Sequence, residues 1–235
     1  MITPRWDLPQ GVRALITTCD GGISEAPYQF NNLALHVGDQ RSAVLQNRAQ
    51  LLRRQSGIRA IQWLNQTHSD RVVPAYSGSV VPDADGCFSS EPGLACAVLT
   101  ADCLPVLIAA KDGSQVAAVH AGWRGLAAGI IANAIRHFDS DVSVFLGPAI
   151  GPEHFEVGPE VRQAFSWASD QCFRAGNGDR LMANIYQLAR EQLIALGVTD
   201  IAGGGFCTVA DSDRFYSYRR QPVTGRMASL IWIDK

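Results

Sequence analysis

Residues 94–138 read LACAVLTADCLPVLIAAKDGSQVAAVHAGWRGLAAGIIANAIRHF, and this stretch decides the fold. Ala95–Thr100 and Leu104–Ala110 are nearly unbroken apolar runs, the pattern of strands covered on both faces. Lys111-Asp112-Gly113-Ser114 is hairpin-turn chemistry, because Asp-Gly tolerates positive φ. Gln115–His120 is then the returning strand. Cys103 and His120 interrupt the apolar pattern at strand ends, where a hairpin would bring a thiol and an imidazole to one ligand. Ala121-Gly122-Trp123-Arg124-Gly125 follows as a glycine loop. After it, Leu126, Ile130, Ala134 and Phe138 recur at helical spacing, predicting a helix over Leu126–Phe138. A glycine loop at a helix start, with the forked cation of Arg124, favours a bound anion such as phosphate. Glycines placed for close packing explain the same loop without a ligand.

Outward from this unit, the N-terminal side predicts a strand over Gly11–Thr18 and a helix over Gln40–Ser56. That helix is capped by Asp39 and turns Val44, Leu45, Leu51 and Leu52 inward. Short strands are expected at Ile61–Asn65 and Val72–Tyr76, with His68 in the polar hinge between them. Asp83 and Asp85 lie in a Pro/Gly loop, where acids either shape turns or serve as acid–base groups. On the C-terminal side the expected strands are Val142–Leu146, Asp200–Ala202, Phe215–Arg220 and Met227–Ile233. The expected helices there are Pro159–Ala168 and Leu181–Leu196. Strands and helices alternate irregularly among hairpins, so the class is α+β with a mixed sheet, and no linker divides the 235 residues.

The net charge of -2 and the lack of a basic run give no footprint for nucleic acid or an anionic membrane. The N-terminus lacks a signal-peptide layout and no apolar run reaches membrane-spanning length, so a cytoplasmic location is expected. The six cysteines form no C-x-x-C pair, which fits reduced thiols. Cys103, His120 and His68 from three strand ends would make an open zinc site, with one coordination position left over. Cys103 and His120 would equally make a thiolate–imidazole nucleophile pair. Copper is the other metal that suits His and Cys, but five histidines are too few for a multicopper cluster.

QTHS at 66–69, TADCLP at 100–105, HAGWRG at 120–125, GPAIGP at 147–152 and FYSYRR with TGR across 215–226 together closely resemble the bacterial laccase-domain, or polyphenol-oxidase-like, proteins. The resemblance runs from TTCDGGIS at 17–24 to the C-terminus. It implies a single domain over residues 1–235 with an α/β/β/α layered sandwich. It implies metal ligands His68, Cys103 and His120, which are then also the catalytic centre, with zinc rather than copper bound. It implies zinc-dependent phosphorolysis of purine nucleosides (adenosine, inosine, guanosine, methylthioadenosine), so nucleoside and phosphate are the expected partners. The resemblance favours phosphate at the Arg124 loop, and Asn32, Arg48 and Arg226 match recurring family positions that would hold phosphate or nucleoside. Some relatives are described as adenosine deaminases. The H-x-E…P-C-x-x-C deaminase signature is absent here, so that reaction would draw on Asp85 or Asp102. One branch is described as editing peptidoglycan precursors, removing L-Ser from a muramyl amide, which is the alternative reading. Two departures stand out: Cys19 replaces a usual Arg, and Phe206 replaces a frequent charge.

Overall fold

The computed structural model describes residues 1–234. The strands are β1 (Val12–Ile16), β2 (Ala60–Gln62), β3 (Val72–Pro74), β4 (Gly86–Ser89), β5 (Leu94–Thr100), β6 (Leu104–Ala110), β7 (Val116–Ala121), β8 (Val142–Leu146), β9 (Glu156–Val157), β10 (Phe173–Ala175), β11 (Leu181–Ala183), β12 (Asp200–Gly203) and β13 (Met227–Ile233). The helices are α1 (Arg41–Arg54), α2 (Trp123–Ala127), α3 (Ile130–Ile135), α4 (Pro159–Ala164) and α5 (Ile185–Ala195).

Two sheets stack face to face. One has the order β1-β13-β5-β2 and the other β12-β8-β6-β7-β4-β3. Alternate residues of each central strand serve different layers. In β6, Leu107 and Ala109 point between the sheets with Cys96 and Val98 of β5. Leu104, Val106 and Ile108 point outward, onto Leu126, Ile130 and Ile131 of α2 and α3 and Leu188 of α5. On the far side, Ala95, Ala97 and Leu99 of β5 pack with Leu51 of α1. This is the expected α/β/β/α sandwich, and it explains the unbroken apolar runs: β5, β6 and β7 are buried at every residue. A small antiparallel sheet, β10-β11-β9, completes the described strands.

Several expected elements differ. The helix over Leu126–Phe138 begins earlier, at Trp123, and breaks at Gly129, whose φ is 89°. Gly122–Gly125 is therefore the cap and first turn of α2 rather than a loop ahead of it. Leu181–Leu196 divides into β11 and α5, because the Asn184 side chain accepts from the Gln187 N–H and starts the helix there. Pro159–Ala168 stops as a helix at Ala164. The strand expected at Phe215–Arg220 is instead a series of turns, in which Gln221 N–H donates to the Ser217 carbonyl. In α1 the buried residues are Ala43, Val44, Asn47 and Leu51, while Leu45 is exposed. Asp39 does not cap α1 by the usual bond; its carboxylate accepts from Gln40 N–H, Ser24 and Asn32.

Candidate metal centre

The β6–β7 hairpin pairs Pro105 with His120 and Leu104 with Ala121. Cys103, just before β6, therefore lies beside the end of β7. The third residue, His68, arrives on the 66–69 loop. The Gln66 side chain pins that loop, accepting from Leu99 N–H at 2.7 Å and donating to its carbonyl at 2.8 Å. One ligand atom each from His68, Cys103 and His120 falls within 4.8 Å of the other two. The imidazoles meet edge to face at 4.9 Å, and Cys103 Sγ stands 4.0 Å from His68 Nε2. Among the described residues this is the one group of three such donors.

Asp85 ties the arrangement together. β4 pairs antiparallel with β7, Gly86 opposite Val119, so the preceding Asp85 sits against His120. Its Oδ1 is 2.8 Å from His120 Nδ1. The same carboxylate accepts from the main-chain N–H groups of Thr67, His68 and Ser69 and from the Ser69 hydroxyl. Burial alone would raise its pKa, but the bonds from His120 and Ser69 prevail and hold it well below the carboxylate range. Every bond of the Asp85 carboxylate is directed at the loop and the imidazole, the arrangement of an orienting group. His68 takes a positive φ of 61°, which this clamp fixes.

Gly122 forms the floor. A Cβ there would lie 3.1 Å from His68 Cδ2 and 3.2 Å from Cys103 Sγ. Gly125 brings α2 against the His68 loop, where a Cβ would meet the Ser69 carbonyl at 2.7 Å. Burial would raise the Cys103 thiol, but the neighbouring imidazoles, His120 first, pull it down to about 6. Burial would lower His120, but Cys103 and Asp85 push it up to about 9. Each group thus favours the charged form of the other. One soft sulfur and two imidazole nitrogens, with a carboxylate behind one ring, fit a tetrahedral divalent ion with an open position.

The trio opens onto a cavity of about 580 Å³. Arg124 and Arg226, expected to hold phosphate or nucleoside, line it. The Arg124 guanidinium stacks 4.3 Å from the Trp123 ring centre. Burial lowers Arg226, while the charges of Cys103 and Asp102 oppose that drop. Asn32 and Arg48 do not line the cavity. Asn32 is fully buried, and its side-chain oxygen accepts from the N–H groups of Ala34 and Arg226. Arg48 donates to the Leu33 carbonyl and lies 3.9 Å from the centre of the Trp63 ring. Asn32 is thus tied to the cavity residue Arg226, whereas Arg48 is tied to Leu33 and Trp63. Cys19 is likewise outside the cavity, donating to the Asp213 carbonyl at 3.1 Å.

The cavity also holds His36, Phe155 and Arg180, which the sequence did not mark as site residues, and Tyr218 and Arg219 of the FYSYRR motif, to which it gave no role. Asp102, weighed as an acid–base group, is buried at its edge with φ of 91°. It accepts from the Thr208 hydroxyl and the Arg219 N–H, each at 2.6 Å. Its carboxylate is thus also engaged in holding neighbouring chain.

A Pseudomonas aeruginosa protein named purine nucleoside phosphorylase is 48% identical over 240 residues, covering 99% of this chain and 98% of its own. An Escherichia coli protein of the same name is 44% identical over 239 residues, with coverage of 99% and 98%. The crystal structure of a Neisseria meningitidis protein superposes with a TM-score of 0.94 at 43% identity, covering 100% of this chain and 99% of the other. With the sandwich, the donor trio and these likenesses in place, and with residues 13–234 matching the model of the multi-copper polyphenol oxidoreductase laccase family, the chain belongs to that family.

Proposed function

We propose that this protein is a purine nucleoside phosphorylase, with zinc held by His68, Cys103 and His120. The carrying observation is that the donor trio opens on the same cavity as Arg124 and Arg226. Relatives over 40% identical along essentially the whole chain bear that name. A cavity of about 580 Å³ is of the size that small-molecule sites occupy. Five histidines remain too few for the trinuclear cluster that copper-dependent phenol oxidation would need.

In phosphorolysis an oxygen of phosphate bonds to the anomeric carbon as the carbon–nitrogen bond to the base breaks. The electron pair of that bond leaves with the purine, which takes up a proton. Arg124 and Arg226 bind the phosphate dianion and orient it, and their charges offset that of the nucleophile. Trp123, Phe155 and Tyr218 supply apolar wall against sugar and base and exclude water. Asp85 keeps His120 and the His68 loop in place throughout. Zinc held by His68, Cys103 and His120 would supply a Lewis acid.

The test is release of free base and pentose 1-phosphate from adenosine, inosine, guanosine and methylthioadenosine in phosphate buffer, by zinc-loaded protein. No release from any of the four, with zinc bound, removes the reading. Release of inosine from adenosine without phosphate would report deamination instead. Release of L-Ser from a muramyl amide would favour the hydrolytic alternative.

A further inference from the structure

A second cysteine–histidine pair lies outside the donor trio. Cys207 Sγ is 3.4 Å from His154 Nδ1. The sulfur also accepts from two main-chain N–H groups, Gly151 at 3.3 Å and Ala210 at 3.4 Å. Gly151 is needed for this approach, since a Cβ there would lie 3.0 Å from Cys207 Sγ. Three groups that stabilise negative charge therefore converge on one sulfur: two amide dipoles and an imidazole that can take the thiol proton.

Both partners are held rigidly. Thr208, next to Cys207, bonds through its hydroxyl to Asp102, and its N–H donates to the Ala149 carbonyl. The carbonyl of His154 accepts from the Arg219 guanidinium at 3.0 Å. Cys207 is half-buried and lines a separate depression of about 320 Å³, together with Phe206, Asp211 and Arg214. Small reagents thus have a path to the sulfur.

Cys19 provides the contrast within the same molecule. It too is half-buried, but its thiol donates, to the Asp213 carbonyl. Burial and the nearby Asp20 push that thiol up. One sulfur meets two main-chain N–H groups and an imidazole, the other a carbonyl and a nearby acid.

We propose that Cys207, assisted by His154, is a nucleophilic thiol site for small soft electrophiles, with hydrogen peroxide as the oxidant class it takes. The thiol proton passes to His154 Nδ1. A sulfur lone pair attacks one peroxide oxygen, forming the S–O bond as the O–O bond breaks. Sulfur is oxidised by two electrons to a sulfenic acid, and the departing hydroxide collects the proton from His154 as water. This goes beyond the proposed phosphorolysis and is independent of it.

The experiment uses the full, zinc-loaded chain, in which metal shields Cys103. Pulse alkylation with iodoacetamide is followed by peptide mass spectrometry, and a parallel sample receives hydrogen peroxide and dimedone. Cys207 is expected to alkylate at least about ten-fold faster than Cys19, and to carry the dimedone adduct. His154→Gln is expected to slow Cys207 by about ten-fold and leave Cys19 unchanged. A Cys207 rate at or below that of Cys19, or no dimedone adduct on Cys207, overturns the proposal. So does a Cys207 rate unaffected by His154→Gln in protein with the wild-type circular dichroism spectrum. If that variant does not fold, the wild-type rate ratio and adduct position decide alone.

Discussion

His120 Nδ1 and Asp85 Oδ1 stand 2.8 Å apart, both side chains buried, and the same carboxylate also collects three N–H groups from the loop that carries His68. One side chain thus sets two of the three candidate metal donors. Asp85→Asn keeps the shape but weakens both attachments, so zinc affinity is expected to fall about 10–100-fold. Asp85→Ala leaves a buried imidazole and N–H groups without a partner, and should cost about 3–5 kcal/mol of stability. Competition with a chelating dye checks the first and urea unfolding the second. Unchanged affinity in Asp85→Asn would show that the loop holds its place without the carboxylate.

Metal loading should depend on pH through the same ring. In the metal-free chain Cys103 sits at about 6 and His120 at about 9, so at neutral pH the sulfur is already ionised and the imidazole still carries its extra proton. A metal needs that ring neutral. Binding at pH 7 is therefore expected to release about one proton, with affinity rising towards pH 9. Calorimetry in buffers of different ionisation enthalpy counts the proton directly. Affinity that falls between pH 7 and pH 9 would contradict the pairing.

Gly122→Ala tests the floor of the site. Gly122 has φ of -61°, so alanine meets no backbone penalty there. Its Cβ would nevertheless crowd His68 and Cys103 at 3.1 and 3.2 Å. The expected outcome is a folded protein that retains little zinc after dialysis. Elemental analysis and a melting curve of the metal-free form read the two parts separately. Full zinc occupancy would mean that the two side chains yield easily.

The arginines separate into two groups. Arg226→Ala is expected to raise the KM for phosphate about 10–100-fold, the loss of one or two charge-assisted hydrogen bonds. Arg48→Met should instead show itself mainly in stability, because Arg48 is bonded to Leu33 and stacked on Trp63 away from the cavity. Initial rates across phosphate concentrations and thermal melts distinguish them. Equal effects on KM would place Arg48 in direct contact with substrate.

Much of the molecule was legible along the chain. Unbroken apolar runs at Ala95–Thr100 and Leu104–Ala110 announced strands covered on both sides, and the layers found here supply those covers. The Asp112-Gly113 turn fixed the hairpin that sets Cys103 beside His120, since Gly113 takes φ of 76°. Residue type is local as well: the sulfur and two imidazoles named along the chain do converge, within 4.8 Å of one another.

Other features depended on partners far away in sequence. FYSYRR alternates like a strand, yet the Arg220 guanidinium donates to the Thr208, Val209 and Phe215 carbonyls and the segment winds into turns. Asp85 could be read as a turn acid or an acid–base group, and only the β4–β7 register turned it towards His120. Asn32 and Arg48 carry chemistry suited to a ligand, and only the fold shows their partners: Ala34 and the Arg226 N–H for one, Leu33 and Trp63 for the other. Periodicity and turn propensity are local and can be read in order. Which buried polar group satisfies which other is settled only when the sheets close, because an unpaired group there costs too much to leave.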